Sequence, residues 1–120
     1  MESDELLALV IQALDDLKAQ DIVALDVREL TDVTDYMVIA TGRSGRQVAA
    51  IAEKVVIDAK HAGQPPLGVE GIREAKWVLI DLCDVVVHVM QQDERELYQL
   101  EKLWGGRSAD VGVSRPVASV

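Results

Sequence analysis

Two runs of aliphatic residues, separated by only two residues, constrain the fold of this chain more than any other feature. Residues 76–82 and 85–90 are rich in Val, Ile and Leu, and Cys83-Asp84 separates them. Two such runs joined so tightly predict an antiparallel β-hairpin. If the turn centres on Cys83-Asp84, residue 80 pairs with 87 and residue 78 with 89.

Side chains alternate along a strand, so this hairpin has two faces of different composition. One face is entirely aliphatic, and we expect helices to cover it: Val78, Ile80, Leu82, Val85, Val87 and Val89. The other face mixes large apolar groups with a carboxylate and an imidazole: Trp77, Leu79, Asp81, Val86, His88 and Met90. An aromatic anchor and a methionine beside a few polar groups are typical of a protein-recognition surface. The pattern leaves open the alternative that another element of the domain packs on this face.

Three helices are predicted around the hairpin. The first is expected to begin after an N-cap at Ser3 and to run to about Gln20. The second is capped by Ser44 and ends at Gly63, which fits the position after the C-cap. A capping-box pattern at Asp93–Glu96 opens the last helix. That helix carries Leu97, Leu100 and Trp104, and Gly105-Gly106 should end it. Further strands are expected at 21–27 and 36–41, with a short extended segment at 69–71.

Length and patterning together predict one domain. The chain has 120 residues, of which 49% are hydrophobic, enough for a single core and too few residues for two domains. Because strands and helices intermix, we expect an α/β (α+β) class: a compact single domain with a mixed sheet flanked by helices. The domain should span residues 1–105, and the patternless segment 106–120 is expected to be a disordered tail.

The net charge indicates the class of partner, and the cysteine content and the lack of a long apolar run indicate the compartment. Twelve Lys and Arg against 21 Asp and Glu give a net charge of −9. Such a charge disfavours direct nucleic-acid binding, which requires clustered cations, and favours a basic protein partner. A single cysteine, Cys83, excludes an intrachain disulfide. No apolar run is long enough to span a membrane, and the acidic start does not resemble a presequence, so we expect a cytoplasmic protein.

Motifs for catalysis or metal binding are weak. Asp81, Asp84 and His88 supply metal-ligand atoms, but their order straddles a hairpin turn. Gly42 and Gly45 precede a helix, yet a turn and an N-cap explain both glycines without a phosphate. We therefore predict no catalytic residue, no metal and no cofactor.

Four stretches of the sequence resemble the ribosomal silencing factors, RsfS, also called the Iojap-related family. The resemblance covers roughly residues 7–105, and the stretches are Asp21–Asp26, Thr34–Gly42 with Ser44 and Arg46, Gly68–Gly71, and Trp77 through Met90 to Trp104. It implies a fold related to the nucleotidyltransferase superfamily. It also implies binding to ribosomal protein L-fourteen at the intersubunit face of the large subunit. A factor bound there blocks joining of the small subunit and represses translation in starved or stationary cells. Family members also form homodimers off the ribosome.

The resemblance does not extend to nucleotidyltransferase chemistry. That chemistry needs a Gly-Ser turn followed by an Asp-x-Asp strand motif. This chain has Gly42-Arg43-Ser44 and no Asp-x-Asp, so the carboxylate pair that would hold a metal is missing. We therefore expect a protein that is not an enzyme.

The expected partner-binding residues come from the mixed hairpin face and from the last helix, where Trp104 could instead belong to the core. They are Trp77, Leu79, Asp81, His88, Met90, Tyr98, Glu101, Lys102 and Trp104. Two alternatives stay open beside the ribosome-binding interpretation. One is a nucleotidyltransferase-like enzyme using Asp81, Asp84 and a metal. The other is a structural homodimer formed through the hairpin face.

Overall fold

A six-stranded mixed sheet with helices on both faces organises the chain. The structure, a computed structural model, describes residues 1–104 together with 107 and 108. The helices are α1 (Ser3–Asp16), α2 (Gly45–His61), α3 (Gln92–Tyr98) and α4 (Leu100–Trp104). The strands are β1 (Gln20–Asp26), β2 (Tyr36–Gly42), β3 (Gly68–Glu70), β4 (Trp77–Asp81), β5 (Val85–Gln91) and β6 (Arg107–Ser108).

The strand order across the sheet is β3-β4-β5-β2-β1-β6. Among the described strands, only β2 and β5 run parallel, and every other neighbouring pair is antiparallel. Parallel neighbours cannot be joined by a tight turn, and the connection from β2 to β5 contains α2, β3 and β4. The prediction of an α+β domain with a mixed sheet is confirmed.

The first face of the sheet carries the main core, beneath α1 and α2. All six aliphatic residues predicted for this face are buried, none more than 3% exposed. The predicted hairpin register is confirmed as well, since Val78 lies opposite Val89 and Ile80 opposite Val87. Alternation alone therefore identified the side of the hairpin that the helices cover.

Both long helices end in the same hydrogen-bonded motif, but only one end was predicted correctly. After α2, Gly63 takes a positive φ, and Gln64 N–H donates to the Ala59 carbonyl at 2.8 Å. After α1, Lys18 takes the left-handed conformation, and Ala19 N–H donates to the Leu14 carbonyl at 3.0 Å. These are Schellman caps. The predicted end of the first helix near Gln20 is wrong because the stop has no glycine to mark it.

The helix starts give a mixed outcome. Ser44 caps α2 as predicted, its hydroxyl accepting from Gln47 N–H at 3.2 Å. Ser3 is already helical, and the N-cap is Glu2, whose backbone N–H donates to Glu5. The predicted capping box at Asp93 is also wrong, because the helix begins at Gln92 and its cap makes no side-chain hydrogen bond.

The predicted last helix is two helices rather than one. Gln99 adopts a left-handed conformation, φ 48° and ψ 51°, which ends α3 before α4 begins. The predicted stop at Gly105-Gly106 lies outside the described residues. Arg107 and Ser108 pair with Asp26 and Leu25 at the edge of the sheet. The expectation of a disordered tail from residue 106 stays a prediction. Residues 106 and 109–120 lie outside the part that the structure describes.

Among the described residues, no helix is long and apolar enough to cross a membrane.

Gly71 gives a direct test of the backbone around β3 and β4. Its φ is +88°, and a Cβ built there would lie 2.1 Å from the Trp77 carbonyl oxygen. We expect Gly71→Ala to lower the free energy of unfolding by about 2 kcal/mol or more, because it adds a steric clash to an unfavourable φ. Gly68→Ala is the control, since a Cβ there meets nothing within 4 Å. Urea denaturation of both variants measures the difference, and equal stability would contradict the prediction.

Candidate protein-binding site

The second face of the sheet is only partly covered. Over its centre, α3 and α4 pack on a smaller apolar cluster that includes Ile39, Met90 and Leu100. Toward the β3 edge the face stays accessible. We call this region the open patch, which consists of Glu70, Trp77, Leu79, Asp81, Val86 and Tyr98.

Strand register explains why these side chains share a surface. Leu79 of β4 lies opposite Glu70 of β3 on one side and opposite His88 of β5 on the other. The same row continues to Ile39 of β2, so it crosses from the open patch into the covered cluster. Leu79 is half-exposed, whereas Ile39 is fully buried. A shallow depression of about 300 Å³, lined by Glu70, Gly71, Trp77 and Leu79, marks the open end.

Trp77 is the central aromatic group of the open patch, and other rings contact it on two sides. The ring of Tyr98, at the end of α3, lies 4.7 Å from it between centroids, with the planes tilted by 45°. The imidazole of His88 lies 5.9 Å away at a similar tilt. Tilted rings at these separations attract each other beyond simple burial. The indole is half-buried, so part of it stays accessible to solvent.

His88 lies beneath the open patch rather than on it. Its side chain is 5% exposed, so the expectation that it is an accessible group on this face is wrong. The Trp77 indole Nε1–H donates to His88 Nδ1 at 2.9 Å. Nδ1 can accept only when the imidazole is neutral with its proton on Nε2. Burial lowers the pKa of His88 from 6.5 to about 4, which keeps the ring neutral near pH 7.

Met90 is a second correction. It lies opposite Trp77 as predicted, but its side chain is fully buried in the cluster beneath α4. The expectation of an exposed methionine on this face is therefore wrong. Trp104 is half-buried and packs against the same cluster. It therefore belongs in part to the core, which was the alternative to a role in partner binding. Packing by another element thus covers one half of the mixed hairpin face and leaves the other half open.

The residues expected from the last helix have different environments. Tyr98 is 46% exposed and belongs to the open patch, and Lys102 is exposed on α4. Glu101 is largely buried, and its Oε2 pairs with Arg95 Nε at 3.0 Å. Arg95 in turn donates from Nη1 to Thr41 Oγ1 at 2.8 Å. This pair links α3, α4 and the end of β2, so Glu101 has a structural role in joining them.

The features considered for catalysis have structural explanations. Asp81 Oδ1 accepts from the backbone N–H of Cys83 at 2.9 Å, which fixes the hairpin turn. At Gly42, a Cβ would lie 2.7 Å from Val48 Cγ2, so α2 packs against the strand too closely for any side chain there. Within residues 1–104, 107 and 108, no group of three or more His, Cys, Asp or Glu side chains is arranged to hold a metal ion.

The predicted site residues do not include Glu70, Gly71, Val86 or Arg95, although alternation had already assigned Val86 to the mixed hairpin face. Glu70 and Gly71 line the depression beside Trp77, although the stretch Gly68–Gly71 had already been noted for its resemblance. Arg95 is buried through its contacts with Thr41 and Glu101, and a helix pattern alone gives no sign of such long-range partners.

Comparison with known proteins gives a consistent result. A family model described as "Ribosomal silencing factor during starvation" matches residues 1–118. "Ribosomal silencing factor RsfS" of Chromobacterium violaceum is 45% identical over 100% of both chains. A crystal structure of a C. violaceum protein, also 45% identical, has a TM-score of 0.87 and covers 97% of this chain and 98% of that chain. Mouse "Mitochondrial assembly of ribosomal large subunit protein 1" is 37% identical over 77% of this chain and 42% of its own length.

The family model and the curated relatives place the chain in a regulatory, ribosome-associated class of protein. The chain belongs to the ribosomal silencing factor family, RsfS, as the sequence stretches predicted.

The buried imidazole predicts a pH dependence of stability. Between pH 6.5 and about 4 the unfolded chain binds a proton at His88 that the folded chain excludes. The free energy of unfolding should therefore fall as the pH decreases through this window, by on the order of 3 kcal/mol from this group. Urea denaturation of the wild type and of His88→Asn at pH 7, 5.5 and 4 gives the free energy of unfolding at each pH. The contribution of His88 is the difference between the two proteins in how steeply that free energy changes with pH. His61→Asn is the control, because it replaces the other histidine, which is exposed, and it should keep the wild-type slope. If His88→Asn also kept the wild-type slope, His88 would not be the source of the pH dependence.

The Arg95–Glu101 pair should stabilise the cover formed by α3 and α4. The two side chains are 7% and 11% exposed, and Arg95→Met would leave the Glu101 carboxylate buried without its cation. We expect a loss on the order of 3 kcal/mol, most of which Arg95→Met/Glu101→Leu should restore by removing the buried charge. Arg46→Met, at an exposed arginine of α2, is the control and should change stability by less than about 0.5 kcal/mol. Equal effects at the two arginines would exclude a stabilising pair.

Proposed function

We propose that this protein binds the large ribosomal subunit through ribosomal protein L-fourteen and sterically blocks joining of the small subunit. The observation that carries the proposal is the open patch, an aromatic and aliphatic surface left accessible on one half of a sheet face in a chain of the RsfS family. The name of the mouse relative, which refers to the ribosomal large subunit, supports the choice of subunit.

Charge around the open patch favours a basic protein over RNA. Glu70 and Asp81 flank the apolar groups, and the whole chain carries −9. A surface of this kind attracts a basic ribosomal protein over long distances and repels a phosphate backbone. The proposed contact is therefore with protein, with little direct binding to nucleic acid.

The accessible surface offers the residue types that a specific contact needs. A standard interface buries about 800 Å² on each partner, and aromatic residues near its centre contribute much of the energy. Trp77 and Tyr98 supply such a centre. Next to them, α3 and α4 add Leu97 and Leu103, which are 73% and 75% exposed, together with Lys102.

Occlusion requires no turnover, no cofactor and no metal. A domain bound to the large subunit at the intersubunit face blocks the small subunit by its volume alone. In starved or stationary cells this would repress translation in the cytoplasm. A homodimer through the open patch would compete with the ribosome for the same surface, so dilution of the free protein should then strengthen its binding to the subunit.

Leu79→Lys tests the proposal with little disturbance of the fold, because the side chain is half-exposed at the centre of the open patch. We expect binding to isolated large subunits to weaken at least about tenfold, since the change removes an apolar contact and adds a cation facing a basic partner. Co-sedimentation measures the binding, and light scattering of mixed subunits measures their joining.

Ile57→Lys is the matched control. It makes the same substitution at an exposed aliphatic residue of α2, on the other side of the sheet. The control should bind and block joining like wild type. If both variants bind equally well, the open patch is not the contact surface. If wild type does not sediment with large subunits at micromolar concentration, the proposed function itself fails.

A further inference from the structure

A polar side chain in the covered part of the second sheet face needs a physical explanation. In its cross-strand row, His88 has Leu79 on one side and Ile39 on the other, both aliphatic. A leucine or valine would fill such a position without desolvation cost, whereas a buried imidazole loses solvation unless its polar atoms are hydrogen-bonded. The Nδ1 atom of His88 is bonded to the indole N–H of Trp77.

That hydrogen bond fixes the rotation of the indole. Tyr98 packs against the Trp77 ring, but aromatic pairs are stable in both offset-stacked and edge-to-face arrangements, so this contact alone does not fix one rotation. A hydrogen bond of 2.9 Å to a buried acceptor on the neighbouring strand is directional, and it holds Nε1 toward the sheet. The rest of the ring then keeps one orientation at the surface before any partner arrives.

We propose that His88 is a positioning residue that holds the indole of Trp77 in the orientation in which it docks to the partner. The inference rests on the proposed function, because it assigns to Trp77 the contact that His88 prepares. An anchor ordered in advance loses less conformational entropy on binding, which strengthens the complex without adding a contact. His88 itself, being 5% exposed, need not touch the partner.

The hydrogen bond can be tested without the ribosome. The protein labelled with ¹⁵N-tryptophan gives two indole N–H signals, one from Trp77 and one from Trp104. The Trp104→Phe variant assigns them, because the signal that it loses belongs to Trp104. The Trp77 indole N–H should exchange slowly with solvent in wild type, rapidly in His88→Leu, and slowly again in His88→Asn, whose side-chain oxygen can replace Nδ1 as acceptor. Rapid exchange in wild type overturns the positioning role, whatever the variants do.

Binding then separates positioning from a general effect on the fold. His88→Leu should weaken binding to large subunits about five- to tenfold, and His88→Asn should restore it to within about threefold of wild type. In a Trp77→Phe background, which lacks the indole N–H, His88→Leu should cause no further loss. A purely structural role would give the same loss in both backgrounds.

The outcomes distinguish the two proposals. Wild-type affinity of a folded His88→Leu, or an equal loss in the Trp77→Phe background, overturns the positioning role. If His88→Leu does not fold, the exchange rate in wild type and the affinity of His88→Asn still decide the matter. Failure of the wild-type protein to bind large subunits contradicts the proposed function instead, and leaves the exchange experiment as the test of how His88 holds Trp77.

Discussion

The parallel pairing of β2 with β5 is the constraint on which the rest of the structure depends. No other pair of strands in the described part of the chain is parallel, and β2 is buried along its whole length. Because a parallel neighbour requires a long crossover, the chain returns through α2 and the β3–β4 strands before β5 can pair. The crossover places one long helix on the first face and leaves β4 and β3 outside β5. The open patch lies at that end of the sheet.

The two faces differ because their covers differ in length. Helices of 14 and 17 residues cover the first face, whereas segments of seven and five residues cover the second. Segments this short are not stable helices by themselves, so tertiary contacts must hold them. Leu100 provides apolar packing, and Arg95 ties both segments to the end of β2. A cover this small reaches the centre of the face and contacts Trp77 only at its margin, through Tyr98.

Local signals in the sequence predicted the hairpin and α2 correctly. The register of Val78 with Val89 follows from a tight turn and a period of two. Ser44 marks the start of α2 by its hydroxyl, and Gly63 marks the end because a residue without a Cβ takes a positive φ without strain. The end of α1 at Lys18 and the break at Gln99 could not be predicted, because each is a left-handed residue without glycine. The site was predicted in part. Alternation assigned Trp77, Leu79, His88 and Met90 to one face, but which of them stay accessible depends on where α3 and α4 pack. That placement is set by contacts between residues far apart in sequence.

The outer strands have a consequence for how the protein can expose an apolar surface safely. The described strands at the two edges, β3 and β6, contain three and two residues. Unpaired main chain at a sheet edge is the template on which copies of a protein add to one another as fibrils. At the edge beside the open patch, a strand as short as β3 offers few hydrogen bonds in register for such growth. The protein can therefore present Trp77 and Leu79 beside a sheet edge while self-templated polymerisation there remains disfavoured.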